Sequence, residues 1–272
     1  MGTELPSLEV KGFDAADALG RRYAARLRDS GQDVWLRLLY EDDRTGDDSA
    51  FSARNRSLAN IVQKNLDRTL LFGHTAVGTR YVVTEHVLGR TLAEAIGQSG
   101  TVQPGPAVEI CAQIAWALCA IHEAGLSHGA VEPSRVLLTV SGGSVVTKLT
   151  GGWLPTAAGP TADIIALGRL LRSILGVTAG PPSTAVVPLL ELADRFEGRK
   201  GHPRTSKEAL LDLSGLLAGP TIEVAASRTS TPQTQRPEVS DALGRTLLEY
   251  LDPDVAAQLK AVRARLKASR PT

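Results

Sequence analysis

The apolar residues of this chain change period once, near residue 100, and that change narrows the possible architectures more than any other feature. Before it come short β-like runs, VWLRLLY at 34 to 40 and RYVVTEHV at 80 to 87, around one polar helical stretch, Ser52 to Asn65. After it, PGPAVEICAQIAWALCAIHEAG carries apolar residues at helical spacing, with Pro106 near its start and Gly125 at its end, the asymmetry of helix termini. Asp163 to Leu175 and Val186 to Phe196 follow the same spacing. Two further β-like runs, RVLLTV (135 to 140) and SVVTKL (144 to 149), joined through Gly142-Gly143, read as a hairpin between the first two of these helices. The pattern predicts an α+β chain: a small β-rich lobe with one helix over residues 1–88, then a larger α-helical lobe over 89–218.

Two segments follow. Residues 219–238, GPTIEVAASRTSTPQTQRPE, are poor in large apolar residues and rich in Ser, Thr, Pro and Gln, which predicts a linker. Over 239–272, Leu243, Leu247, Leu251, Val255, Leu259, Val262 and Leu266 recur every three or four residues, with Asp252-Pro253 as a restart. One kinked amphipathic helix, or two, is predicted there.

Composition enters mainly to exclude. With 30 basic and 29 acidic residues the net charge is +1, so no global field draws the chain to nucleic acid or membrane. Lys260, Arg263, Arg265, Lys267 and Arg270 read as a solvated face. No apolar run approaches the about 18 to 20 residues needed to span a bilayer. The start MGTELPSLEVKGFD lacks a basic-then-apolar leader pattern. A cytoplasmic location without a membrane span is therefore the expectation. Cys111 and Cys119 lie in one apolar helical stretch, about 12 Å apart along its axis, too far to bond to each other. His74, His86, His122 and His202 fall in separate elements without ligand spacing, so no metal site is expected.

The segment AIHEAGLSHGAVEPSRVLLTVSGGSVVTKLTGGW (120 to 153) resembles, in order and spacing, the catalytic loop, hairpin and metal-binding triplet of the bacterial eukaryotic-like (Hanks-type) Ser/Thr protein kinases. The resemblance covers roughly residues 10 to 218. Upstream, YVVTEHVLGRTLAEAI is similar to the last small-lobe strand, hinge and first large-lobe helix, with Thr84 as gatekeeper and Glu85 to Val87 as hinge. Downstream, TADIIALGRLLRSILG resembles the buried central helix, and GHPRTSKEALLDL the closing segment with its arginine, here Arg204. It implies a bilobal protein-kinase-like fold.

The resemblance also implies a pseudokinase. A kinase needs an aspartate at the substrate hydroxyl, an asparagine and a second aspartate on Mg²⁺, and a lysine–glutamate pair for the α and β phosphates. Against the pattern His-Arg-Asp-x-Lys-x-x-Asn this chain reads His128-Gly129-Ala130-Val131-Glu132-Pro133-Ser134-Arg135, and Asp-Phe-Gly becomes Gly151-Gly152-Trp153. The phosphate lysine becomes Arg37, and Arg54 stands where its glutamate partner belongs, two like charges whose repulsion at about 4 Å would forbid the activating pair. The glycine-rich loop maps onto Ala15, Asp17 and Gly20, adding an acid that should repel phosphate. Trp35 stands where the family has a small alanine against adenine. The indole either packs within its own strand or occludes the nucleotide slot, and no cofactor is expected. His128 and Asp163 resemble the pair that ties the catalytic loop to the central helix, a structural role. Between Trp153 and Asp163 the activation segment is essentially deleted.

The implied function is that of an inactive adapter or scaffold binding protein partners. Alternatives are a non-catalytic nucleotide sensor or a divergent nucleotide-using transferase. In the linker, Thr229, Thr231 and Thr234, with Ser227 and Ser230, are candidate phosphosites beside Arg228 and Arg236. The resemblance implies an active Ser/Thr kinase as their writer and a phosphothreonine-binding forkhead-associated domain as reader; a passive tether is the alternative. The terminal helix is expected either to dock on the large lobe or to self-associate through residues 239–268.

Overall fold

The structure, a computed structural model, describes residues 7–40, 48–141, 144–176, 183–201 and 204–218. The linker and terminal segment of the sequence reading, with Thr229, Thr231 and Thr234, lie outside the described residues, as do Gly142-Gly143 and His202.

The first lobe is an antiparallel sheet of β1 (Leu8–Asp17), β2 (Gly20–Leu27), β3 (Asp33–Leu39), β4 (Thr69–His74) and β5 (Arg80–Glu85), in the order β1-β2-β3-β5-β4. Side chains alternate across a strand, so β3 sends Val34 and Leu36 into a cluster with Leu8, Ala25 and Val83. Its other face carries Trp35, Arg37 and Leu39, and Leu39 joins Phe51, Leu58, Val82 and Trp153. One pleat therefore turns Trp35 and Arg37 together toward the second lobe. At the β1–β2 turn Gly20 has φ +147°, and a Cβ there would lie 2.0 Å from the Leu38 carbonyl oxygen. The turn thus presses on β3, and Asp17 Oδ1 closes it by accepting the Leu19 N–H at 2.8 Å.

The one helix of this lobe, α1, spans Asp48–Ala59, earlier than the predicted Ser52 to Asn65. Its C-terminal side is claimed by the second lobe. Asn65 is fully buried, donates to Gln113 Oε1 at 2.8 Å and the Thr147 carbonyl at 2.9 Å, and accepts the Leu149 N–H at 2.8 Å. A non-helical turn there satisfies all three.

The second lobe holds a small sheet β6-β7-β8 (Arg90–Thr91, Val136–Ser141, Ser144–Leu149) and five helices among the described residues: α2 (Leu92–Ser99), α3 (Pro104–Glu123), α4 (Pro160–Ile174), α5 (Val187–Phe196) and α6 (Ser206–Ala218). A capping box starts α2, with Thr91 and Glu94 exchanging side-chain and backbone bonds. Ile114, Leu118 and Ile121 of α3 meet Leu138, Leu149, Leu167, Leu171 and Phe196 in one core. By length and composition α3 could cross a membrane, contrary to the expectation that no run approached that limit. However, 67% of its most apolar 18-residue window is buried inside the fold, which is where that apolarity is used.

Candidate functional site in the interlobe cleft

Asp163, in the first turn of α4, is the hub of the lower cleft. Its Oδ2 accepts the His128 N–H at 2.7 Å and its Oδ1 the Gly129 N–H at 2.7 Å. His122 Nε2 of α3 adds a third contact at 2.9 Å. Burial alone would raise the Asp163 carboxyl, but the bonds from His122, Gly129 and His128 hold it below its ordinary value. His128 Nδ1 accepts the Ala130 N–H at 3.2 Å, so its ring proton sits on Nε2. Burial pushes this imidazole down to about 4, keeping it neutral. The loop is thereby fixed through backbone groups, while Ala130 offers no side-chain acceptor. His122 was missed as a partner because nothing in its spacing marks it.

Arg54 and Arg37 take separate partners. From α1, Arg54 reaches the second lobe: Nε donates to the Gly152 carbonyl at 2.7 Å and Nη2 to the Ser127 carbonyl. Its neighbour Asn55 donates to the Trp153 carbonyl at 3.0 Å. These bonds pin α1 to the Gly151-Gly152-Trp153 segment without a lysine–glutamate pair.

Arg37 has a different partner. Its Nη1 lies 2.6 Å from Asp17 Oδ1, and Arg135 Nη1 lies 3.4 Å from Asp17 Oδ2. The carboxylate expected to repel an incoming phosphate thus bridges the two guanidinium groups. Burial would raise Asp17, but Arg37, the Leu19 N–H and Arg135 bring it below the usual carboxylate range. The Arg37 guanidinium also lies 5.4 Å from the Trp153 ring centroid, a cation–π distance.

The glycines of this region are space requirements. Gly151 has φ +91°, and a Cβ there would meet Arg135 Cδ at 3.1 Å; at Gly152 it would meet His128 Cδ2 at 2.9 Å. Gly129, φ +81°, faces Thr156 at 2.8 Å from a Cβ position. Thr156 belongs to the six residues between Trp153 and α4, which lie directly on the catalytic-loop backbone; Ser127 Oγ there donates to the Ala158 carbonyl.

Trp35 lines the cleft. Its Nε1 donates to the Val87 carbonyl of the hinge segment at 3.2 Å, its ring lies 4.3 Å from that of His86, and Arg22 covers it at 4.7 Å. Occlusion is nevertheless incomplete, because a cavity of about 290 Å³ remains beside it, bordered by Asp17, Arg37, Thr84, Arg135 and Trp153. Asp67, which the sequence did not single out, also borders this cavity. Burial, and then Glu85, raise its carboxyl well above the ordinary value. Glu85 itself pairs with Lys148 at 2.7 Å. Arg204 sits apart from the cleft, 3.5 Å from Asp212 and 3.7 Å from Glu208. Among the described residues no group of three His, Cys, Asp or Glu could hold a metal ion.

The kinase domain of PknI from Mycobacterium tuberculosis superposes on this chain with a TM-score of 0.67 at 15% identity, covering 79% of this chain and 98% of that domain. The fold is that of a protein kinase. A probable serine/threonine-protein kinase of Clostridium perfringens is 29% identical over 130 residues, 47% of this chain and 18% of the relative. PknB of Corynebacterium glutamicum, also a probable serine/threonine-protein kinase, is 38% identical over 63 residues, 23% of this chain and 10% of that protein. The chain is a relative of the bacterial Hanks-type Ser/Thr protein kinases, although the matched stretches span only 18% and 10% of the length of these two curated relatives. No protein-family model matches it. In this kinase-like chain, the cleft between the lobes is where Asp17, Arg37, Arg135, His128 and Asp163 converge.

Proposed function

We propose that this kinase-like chain is a catalytically inactive pseudokinase that works as a protein-binding adapter or regulatory scaffold. The observation that carries the reading is the Asp17 carboxylate bridging Arg37 and Arg135. Two cations neutralised by the protein's own acid fill a place where a kinase needs Mg²⁺ and its oxygen ligands. Ala130 and Gly151 supply no carboxylate, and the six residues after Trp153 leave little platform for a peptide substrate. A kinase fold without phosphoryl transfer still presents surfaces for binding. In this reading the partners are proteins: an active Ser/Thr kinase that modifies Thr229, Thr231 or Thr234, and a forkhead-associated domain that reads the mark.

The test is transfer from labelled ATP, with Mg²⁺ or Mn²⁺, to a general Ser/Thr substrate and to the chain itself. Incorporation at the level of the protein-free control is expected. Turnover that disappears in Arg37→Ala would overturn the proposal. The remaining cavity of about 290 Å³ favours a second reading, a non-catalytic nucleotide sensor. It requires the unfolding midpoint to rise with millimolar ATP, by several degrees at saturation.

A further inference from the structure

We propose that Arg37 and Arg135 form a metal-free oxyanion site, that Asp17 is its internal occupant, and that the site takes a small phosphate-bearing anion such as pyrophosphate rather than a Mg²⁺-nucleotide. This inference does not depend on the adapter role.

Both arginines are about nine-tenths buried, each residue being 8% exposed, and both border the cavity of about 290 Å³. The Nε of each is buried and has no hydrogen-bond partner among the described residues. Buried donors of this kind are normally satisfied, and a guanidinium matches the paired oxygens of phosphate better than a single carboxylate contact does. Against these two cations stand Asp17, at 2.6 and 3.4 Å, and Glu132 Oε1, 3.4 Å from Arg135 Nε. Glu132 is half-exposed and already accepts from Ser134 Oγ at 2.6 Å.

The other charged groups along the cavity are committed elsewhere. Glu85 pairs with Lys148, Glu94 caps α2 through the Thr91 N–H, and Arg22 pairs with Asp14 at 2.7 Å. Asp67, partly buried next to Glu85, is biased toward its neutral acid form. The cations left to an incoming ligand are therefore Arg37 and Arg135. The occupant in their way is the lightly held one: the Asp17 side chain is 42% exposed and sits at the tip of a hairpin.

Size and hydrogen bonding select the ligand. A volume near 290 Å³ sits at the lower bound of drug-sized pockets. The Trp35 indole already donates to the Val87 carbonyl and so occupies one acceptor of the hinge segment. Metal is not required, since Arg135 itself brings positive charge to the anion.

The experiment is a pyrophosphate titration in EDTA, followed by tryptophan fluorescence because Arg37 lies over Trp153. The parent is expected to bind weakly, at millimolar concentration. Asp17→Asn keeps an acceptor for the Leu19 N–H and is expected to bind roughly five- to tenfold more tightly. Adding Arg37→Gln to Asp17→Asn should abolish that gain, and Mg²⁺ should not strengthen binding. An Asp17→Asn protein that binds no better than the parent, or binding that persists with both arginines changed to glutamine, would overturn the proposal. So would tighter binding of ADP than of pyrophosphate. Should Asp17→Asn not fold, the parent and Arg135→Gln decide: loss of the millimolar response is expected, and an unchanged response overturns the site.

Discussion

The two ends of the cleft treat their charged groups in opposite ways. At the Asp163 end a carboxylate that is 1% exposed accepts from three donors, two of them backbone N–H groups. At the Asp17 end a carboxylate that is 42% exposed lies between two arginines whose buried Nε atoms make no hydrogen bond among the described residues, Arg135 Nε having only the longer 3.4 Å ion pair with Glu132. Geometry that holds the chain is saturated, whereas geometry that faces the cavity is left short of acceptors. The comparison separates groups kept for the fold from groups available to something else.

The largest expected effect comes from breaking the saturated end. Asp163→Ala strips acceptors from His122, His128 and Gly129 and should cost about 3–5 kcal/mol of stability, read from urea unfolding. The same end predicts a pH dependence. His128 is held neutral, from an ordinary value of 6.5 down to about 4, so between these values the unfolded chain binds the extra proton. Stability is then complete above about pH 6.5 and falls as pH drops toward 4, with a slope near one proton, and His128→Asn should flatten that slope.

The intermediate effect tests the bridge between the lobes. Arg54→Met leaves the Gly152 and Ser127 carbonyls without their donor and should cost about 1.5–3 kcal/mol by the same unfolding measurement. Gly151→Asp, the substitution that rebuilds the family's metal-binding residue, should cost about 1–3 kcal/mol because of the positive φ and the contact with Arg135. No Mg²⁺-dependent rise in its unfolding midpoint is expected. The smallest effect belongs to the other end: Asp17→Asn should lower stability by only about 0–1 kcal/mol, as expected of a half-exposed ion pair. A loss as large as that of Asp163→Ala would erase the distinction between the two ends.

The sequence made the saturated end easy to read and the other end hard. His128 and Asp163 stand in an ordered motif, and β3, β5, β7 and β8 follow runs of β-branched and apolar residues. β1 was not legible: it is an almost wholly exposed edge strand, and irregularities between Val10 and Gly12 and between Phe13 and Ala15 break its period of two. The partners of Arg54 are main-chain carbonyls, which every residue carries and no sequence advertises. The Asp17–Arg37 contact depends on how the β1–β2 turn folds back over β3, a register that the glycine-rich-loop alignment does not specify. Trp35 lines the cleft, but how much space its indole leaves depends on the hinge backbone, which the sequence does not specify.

Thr156 against the Gly129 backbone has a consequence along a mutational path. Rebuilding the family's arginine at 129 requires Thr156 to move first, and rebuilding its aspartate at 151 requires a backbone that tolerates a side chain. Each step alone loses stability before any gain in chemistry could compensate. On the pseudokinase reading proposed above, the cleft behaves as a ratchet, because the way back to phosphoryl transfer needs several substitutions at once.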